Sequence, residues 1–83
     1  MATKSTDTIE FEFRENVYTA SKGELESYET NKQISMGGPA MYLAIERIFG
    51  GRDIEYAKMA GGSFDDMLAL VNAAFAAAPK AKN

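Results

Sequence analysis

The chain has 83 residues, which is one domain of a size whose single core gives marginal stability, so a homo-oligomer or a protein partner would add useful burial. It contains no cysteine and no histidine. This composition excludes disulfides and thiolate catalysis, and it removes the commonest general base and the commonest metal ligands. The net charge of −3 gives no electrostatic basis for binding nucleic acid. Because no apolar run approaches about 18 residues and the N-terminal residues lack the apolar core of a signal peptide, we expect a cytoplasmic protein with no membrane contact.

The N-terminal part of the chain predicts a β-hairpin. Residues 1–7 are small, polar and charged, so we expect a disordered tail there. Thr8 to Phe13 alternates between polar and apolar side chains, as a half-buried strand does, and Val17 to Ala20 is rich in β-branched and aromatic residues. The connection, Arg14 to Asn16, contains none of the strong two-residue turn sequences such as Asn-Gly. The pattern therefore predicts a hairpin whose limits are imprecise.

The stretch from Glu24 to Met36 is mostly polar and admits two interpretations. Ser27 to Thr30 or Gln33 to Met36 would form a short third strand. Alternatively, the apolar side chains of Ile34 and Met36 would cover a helix from a loop. The sequence leaves both alternatives open.

A central helix is predicted from Pro39 to Phe49. Pro39 suits the first helical turn, and Gly50 suits the left-handed residue that commonly follows a helix. Helical spacing places an apolar stripe on one face, formed by Met41, Ile45, Ile48 and Phe49.

Two further helices are predicted after the central one. Asp53 is placed as the N-cap of a short helix, Ile54 to Ala60. Ser63 and Asp66 form a variant of the capping box that starts the last helix, which we expect Pro79 to end. The predicted apolar stripe of this last helix consists of Phe64, Met67, Leu68, Val71 and Phe75.

Together these elements predict an α+β domain over residues 8–78, followed by a basic tail, residues 79–83. An antiparallel β-hairpin or three-stranded sheet packs against two or three C-terminal helices. The predicted core consists of Ile9, Phe11, Phe13, Val17, Ile45, Ile48, Phe49, Leu68, Val71 and Phe75.

No catalytic, cofactor-binding or metal site is predicted. The glycine pairs at 37/38, 50/51 and 61/62 lack the lysine and the spacing of a phosphate-binding loop, so turns and helix caps explain them better. Helix capping likewise explains the acidic pair Asp65–Asp66. An enzyme would need a pair such as Asp53 and Tyr56 to do the chemistry, and nothing in the sequence implies a cleft around them. We expect a protein without enzymatic activity.

Three features are candidate partner-binding surfaces, and each has a structural alternative. Ala73, Ala76 and Ala77 would give the last helix a smooth apolar side, or they reflect helix propensity alone. The acidic face of the hairpin, with Glu10 and Glu12, would meet a basic protein, or it keeps the sheet soluble. Met41 is either an adaptable contact or core filler.

The order of the motifs resembles a known family. An alternating strand (Ile9 to Phe13) and an aromatic return strand (Val17-Tyr18) precede the apolar helix and Phe-Gly-Gly step of Met41 to Gly51, and the acidic-apolar segment Ser63 to Val71 leads into an Ala/Lys tail. Over about residues 8–78 this resembles the small tail assembly chaperones of long-tailed bacteriophages, a family without a catalytic signature. The polar stretch Ser21 to Lys32 departs from the family's usual pattern.

The resemblance implies a non-enzymatic protein of the host cytoplasm that coats the phage tape measure protein and helps recruit tail tube subunits. Two alternatives stay open. One is a small acidic phage-encoded inhibitor that binds a basic host protein, whose binding would be lost in high salt. The other is a minor structural subunit of the tail, which would be found in finished particles.

Overall fold

The computed structural model describes residues 8–82, with the side chains described for residues 8–78. The predicted N-terminal tail, residues 1–7, and Asn83 lie outside this part of the chain. Residues 8–82 form two strands and five helices: β1 (Thr8–Phe13), β2 (Asn16–Ser21), α1 (Lys22–Glu26), α2 (Tyr28–Met36), α3 (Gly38–Ile48), α4 (Asp53–Ala60) and α5 (Phe64–Lys82). The predicted α+β class, with an N-terminal antiparallel hairpin followed by helices, is confirmed.

The hairpin has a two-residue loop, although its sequence lacks the residues that favour one. Phe13 pairs with Asn16, so the loop is Arg14 and Glu15, and both have positive φ (51° and 71°). A type I′ loop requires this sign of φ, which is unfavourable for residues with a side chain. Tertiary contacts offset that cost, since Arg14 Nη1 donates hydrogen bonds to the Ala60 carbonyl (2.8 Å) and the Asp66 carboxylate (2.7 Å).

The buried face of β2 differs from the prediction by one residue. Val17, predicted to lie in the core, is 62% exposed, whereas Tyr18 and Ala20 are buried. The register explains the difference, because Tyr18 lies opposite the buried Phe11 while Val17 lies opposite the exposed Glu12. Tyr18 stacks on Phe11 and meets the ring of Tyr56 edge-on, so the larger aromatic side chain fills the core.

The polar middle of the chain forms two helices and not a third strand. Ser21 caps α1 by accepting a hydrogen bond from the Glu24 amide (3.2 Å), and Ser27 caps α2 by accepting one from the Thr30 amide (3.3 Å). Within residues 8–82 the sheet therefore has two strands, and the helices number more than the two or three predicted.

The central helix is confirmed as α3. Its predicted stripe is buried throughout: Met41, Ile45, Ile48 and Phe49. The helix ends in a Schellman motif, because the Gly50 amide donates to the Arg47 carbonyl (3.2 Å) and the Gly51 amide donates to the Glu46 carbonyl (2.9 Å). Gly50 has φ 62°, as predicted for the residue after the helix.

The start of α5 is confirmed, and the start of α4 is shifted. The Ser63 hydroxyl accepts from the Asp66 amide (3.0 Å), and the Asp66 carboxylate accepts from the Ser63 amide (3.2 Å), which completes the capping box. Asp53 does not cap α4. Arg52 occupies the N-cap position without a side-chain hydrogen bond to the backbone of the first turn, so Asp53 lies in that turn, where the helix dipole still favours its charge.

α5 is rotated relative to the predicted stripe, and it is longer. Phe64 is 46% exposed, and Leu68 and Phe75 are only partly buried. The buried face consists of Met67, Leu70, Val71, Ala74 and Ala78. Small alanines allow a helix to approach its neighbours closely, and α5 packs against both β1 and α4. The prediction that Pro79 ends the helix is wrong, because the helix runs past Pro79 to Lys82.

Candidate functional site

An open groove of about 280 Å³ lies between α3, α4 and the start of α5, and we call it the helical groove. It is lined by Tyr42, Ile45, Asp53, Ile54, Ala57, Gly62, Ser63, Phe64 and Met67. The buried side chains of Ile45 and Met67 form its floor. Six of the nine lining residues are apolar, so the groove offers mainly apolar surface.

The rim of the helical groove consists of three large apolar side chains exposed to solvent. Tyr42 is 57% exposed, Ile54 69% and Phe64 46%. The rings of Tyr42 and Phe64 are 5.9 Å apart and tilted by 58°, so the two side chains form one continuous wall. Single exposed apolar residues are normal on a protein surface, but several that surround one depression make it a candidate site for another apolar surface.

The turn between α4 and α5 sets the position of the Phe64 wall. The Gly61 amide bonds to the Lys58 carbonyl (3.3 Å) and the Gly62 amide to the Ala57 carbonyl (2.8 Å), which ends α4. A side chain on Gly61 would overlap the carboxylate of Asp66, so this glycine is required for the capping box that follows. The chain therefore passes from α4 into Ser63 and Phe64 in a fixed geometry.

Arg14 in the hairpin loop fixes the same turn from the other side. Its ion pair with Asp66 (2.7 Å) and its hydrogen bond to the Ala60 carbonyl join the hairpin to both helices. The hydrogen bond from Arg14, with further hydrogen bonds from Ser63, lowers the pKa of Asp66 below its ordinary value of 3.8. The carboxylate thus stays charged to a lower pH than an ordinary aspartate does, and it keeps the start of α5 in place.

The helical groove carries little charge. Among its lining residues, Asp53 is the one with an ionisable carboxylate, and no lining residue is basic. A partner in the groove would consequently gain affinity from apolar burial more than from ion pairs. Binding of this kind persists in high salt, because salt screens charge interactions and not the hydrophobic effect.

A polar cluster lies where α1, α2 and α3 meet, and its hydrogen bonds join these helices. Glu24 accepts hydrogen bonds from the Thr30 hydroxyl and from Arg47 Nε, and Arg47 Nη2 donates to the Thr30 hydroxyl and to the Gln33 side chain. The Thr30 bond, followed by those of Arg47, lowers the pKa of Glu24 despite partial burial, which opposes the shift. These contacts hold the three helices together.

None of the six residues predicted to bind a partner lines the helical groove. Glu10 and Glu12 are exposed on the outer face of β1, and Ala76 is exposed on α5. Ala73 and Ala77 are partly buried, and Met41 is only 9% exposed, so it lies in the core. The structure brings these residues to three separate places. The groove residues themselves were missed. Tyr42 and Ile54 are large apolar residues outside the predicted stripes and were the available signal, whereas Phe64 was assigned to the buried stripe of the last helix.

No protein-family model matches the chain, and no curated protein or solved structure matches it. Within residues 8–82 there is no group of three or more acidic side chains that could bind a metal ion. None of the helices in that part of the chain is long and apolar enough to span a lipid bilayer.

Proposed function

We propose that this chain is a non-enzymatic tail assembly chaperone of a long-tailed bacteriophage, which binds the tape measure protein and helps recruit tail tube subunits. The observation that carries the proposal is the exposed apolar rim of the helical groove. The family resemblance implies a partner that is a long helix with exposed apolar positions. A helix of that kind binds by placing its apolar face in a groove on a helical surface.

The open shape of the groove favours side chains of a protein over an enclosed small molecule. Pockets that enclose a small ligand usually have about 300–1,000 Å³. The helical groove has about 280 Å³ and is open to solvent, so it suits one or two large side chains from a partner helix. Tyr42, Ile54 and Phe64 would contact these side chains.

The charge of the chain suits a chaperone that covers apolar segments. The chain carries 12 acidic and 9 basic residues, so each bound copy would add net negative charge to a partner that would otherwise aggregate. This net charge would make neighbouring complexes repel one another. Because the groove itself is nearly uncharged, the net charge would contribute little to the affinity for the partner. Both properties fit reversible protection of a helical partner.

The test is affinity capture from phage-infected cells at moderate and at high salt, with captured proteins identified by mass. The wild-type chain is compared with Ile54→Asn, a change at a position that is 69% exposed and therefore leaves the core intact. Val17→Asn is the matched control, since Val17 is an apolar residue of the hairpin with 62% exposure that does not line the groove.

The proposal predicts that a very long helical phage protein is captured at both salt concentrations, by the wild type and the Val17 variant but much less by the Ile54 variant. Capture that does not depend on Ile54 would exclude the groove as the binding site. Recovery of only a basic host protein that is lost in high salt would support the acidic inhibitor instead. Presence of the chain in finished phage particles would support a structural tail subunit.

A further inference from the structure

The outer edge of β1 is the second surface of the molecule that offers unused binding groups. In an antiparallel pair of strands, residue pairs alternate between those that exchange backbone hydrogen bonds and those whose N–H and C=O groups point outwards. The Thr19 amide points outwards from β2, because it donates a hydrogen bond to the Tyr56 hydroxyl on α4 (3.3 Å). Thr19 pairs with Glu10, so the backbone groups of Glu10 point outwards from β1.

The same alternation identifies the next outward-pointing pair of the hairpin, towards its loop. Glu12 pairs with Val17, two residues from the Glu10–Thr19 pair, so its backbone N–H and C=O also point out of the β1 edge. Within residues 8–82, neither the Glu10 nor the Glu12 amide has a hydrogen-bond partner. Both residues are exposed. The two edges of the hairpin therefore differ: Tyr56 accepts a hydrogen bond from an amide on the β2 edge, whereas no residue within 8–82 accepts one from the outward amides of Glu10 and Glu12.

The charge at this edge determines what can bind there. The side chains of Glu10 and Glu12 lie on the outer face of β1 and have no ion-pair partner within residues 8–82. Arg14, the basic residue of the adjacent loop, is already paired with Asp66. If two copies of the chain paired through this edge, glutamates would lie opposite one another, and like charges in that position are destabilising. Basic side chains from another protein would relieve the same repulsion.

We propose that the β1 edge binds an extended segment of a partner protein in which lysine or arginine residues alternate with apolar residues. The segment would add a third strand to the hairpin, with its backbone paired to Glu10 and Glu12 and its basic side chains beside the two carboxylates. This inference goes beyond the proposed chaperone function, because it concerns another surface and another partner chemistry. It does not depend on what occupies the helical groove.

The test uses a short synthetic peptide of alternating lysine and valine as the probe. Binding to the full chain is followed by NMR, and hydrogen exchange of individual amides is measured with and without the peptide. A peptide of alternating glutamate and valine is the control for charge on the partner. On the chain, Glu12→Pro removes an outward N–H that the hairpin does not use, and proline is tolerated in edge strands. Glu12→Gln is the matched control, because it removes the charge and keeps the N–H.

The proposal predicts that the lysine peptide slows exchange of the Glu10 and Glu12 amides, while the glutamate peptide does not bind. Glu12→Pro should weaken binding by about tenfold more than Glu12→Gln, since the proline also removes a backbone hydrogen bond. The double variant Glu10→Lys/Glu12→Lys keeps the strand and its donors, and it should abolish binding of the lysine peptide and allow binding of the glutamate peptide.

Three results would overturn the proposal. The first is absence of binding by the lysine peptide to the wild-type chain. The second is binding that protects amides of the helices and leaves those of Glu10 and Glu12 unchanged. The third is protection of Glu10 and Glu12 that develops without peptide as protein concentration rises, which would identify a second copy of the chain as the occupant.

Discussion

Replacing Tyr18 with phenylalanine removes a buried hydroxyl group that forms no hydrogen bond with the described residues. Tyr18 is fully buried, and its hydroxyl oxygen has no partner among residues 8–82. A buried polar group without a partner costs about 1–3 kcal/mol. Loss of one oxygen atom also removes a few van der Waals contacts, each worth about 0.1–0.2 kcal/mol. We therefore expect Tyr18→Phe to raise the free energy of unfolding by about 1 kcal/mol, which corresponds to an increase in Tm of about 5 °C for a domain of this size.

Tyr56→Phe is the matched control for this prediction. Tyr56 is also buried, at 3% exposure, but its hydroxyl accepts the hydrogen bond of the Thr19 amide. Removing that hydroxyl leaves a backbone donor unpaired, so the free energy of unfolding should fall by about 1 kcal/mol. Urea unfolding of both variants measures the two effects. The reasoning is refuted if Tyr18→Phe destabilises the protein, or if both substitutions change stability in the same direction by the same amount.

Two more predictions concern the turn before α5 and the acid sensitivity of the fold. Gly61→Ala should lower the free energy of unfolding by more than about 1 kcal/mol, because Gly61 has φ 141° and the new methyl group would overlap the Asp66 carboxylate. Gly62→Ala, at φ 93° with open space around it, should cost less, and an equal loss in urea unfolding would contradict the overlap. Stability should also fall in acid, because the pKa values of Asp66 and Glu24 are lowered in the folded chain. Their contribution to the free energy of unfolding is complete above the ordinary pKa values of 3.8 and 4.5. It is lost as the pH falls through the lower pKa values of the folded state. Glu24→Gln should reduce the fall in Tm between neutral pH and about pH 2 in thermal unfolding. An unchanged fall in Tm would show that Glu24 does not contribute to it.

The elements that could be predicted from the sequence are those determined within a few neighbouring residues. The Schellman end of α3 at Gly50 and the capping box of Ser63 and Asp66 each depend on a local sequence, and both are confirmed. The serine caps at Ser21 and Ser27 are equally local. They are the signal that would have identified α1 and α2 in place of a third strand.

The faces that were predicted wrongly depend on contacts between distant parts of the chain. Val17 and Tyr18 are both suitable residues for a strand, and only the register decides which one is buried. The register follows from a two-residue loop that Arg14 stabilises through Asp66, a residue 52 positions away in the sequence. In α5, packing against β1 and α4 selects the face with Ala74 over the face with the larger Phe75.

The helical groove could not be predicted for a related reason. Tyr42, Ile54 and Phe64 belong to three different helices, and each alone is an unremarkable exposed apolar residue. Only the packing of α3, α4 and α5 places them around one depression. The acidic character of Glu10 and Glu12 was visible in the sequence, whereas the open backbone edge beside them required the strand pairing.

Site-specific photo-cross-linking tests the central claim most directly. A photoreactive amino acid is placed at position 54 in the helical groove or, as the control, at position 17 on the hairpin, and each chain is irradiated in phage-infected cells. The account predicts that position 54 cross-links to a very long helical phage protein, in high salt as well as in moderate salt, and that position 17 does not. A cross-link to that protein from position 17 alone, or none from position 54 to any phage protein, would contradict it.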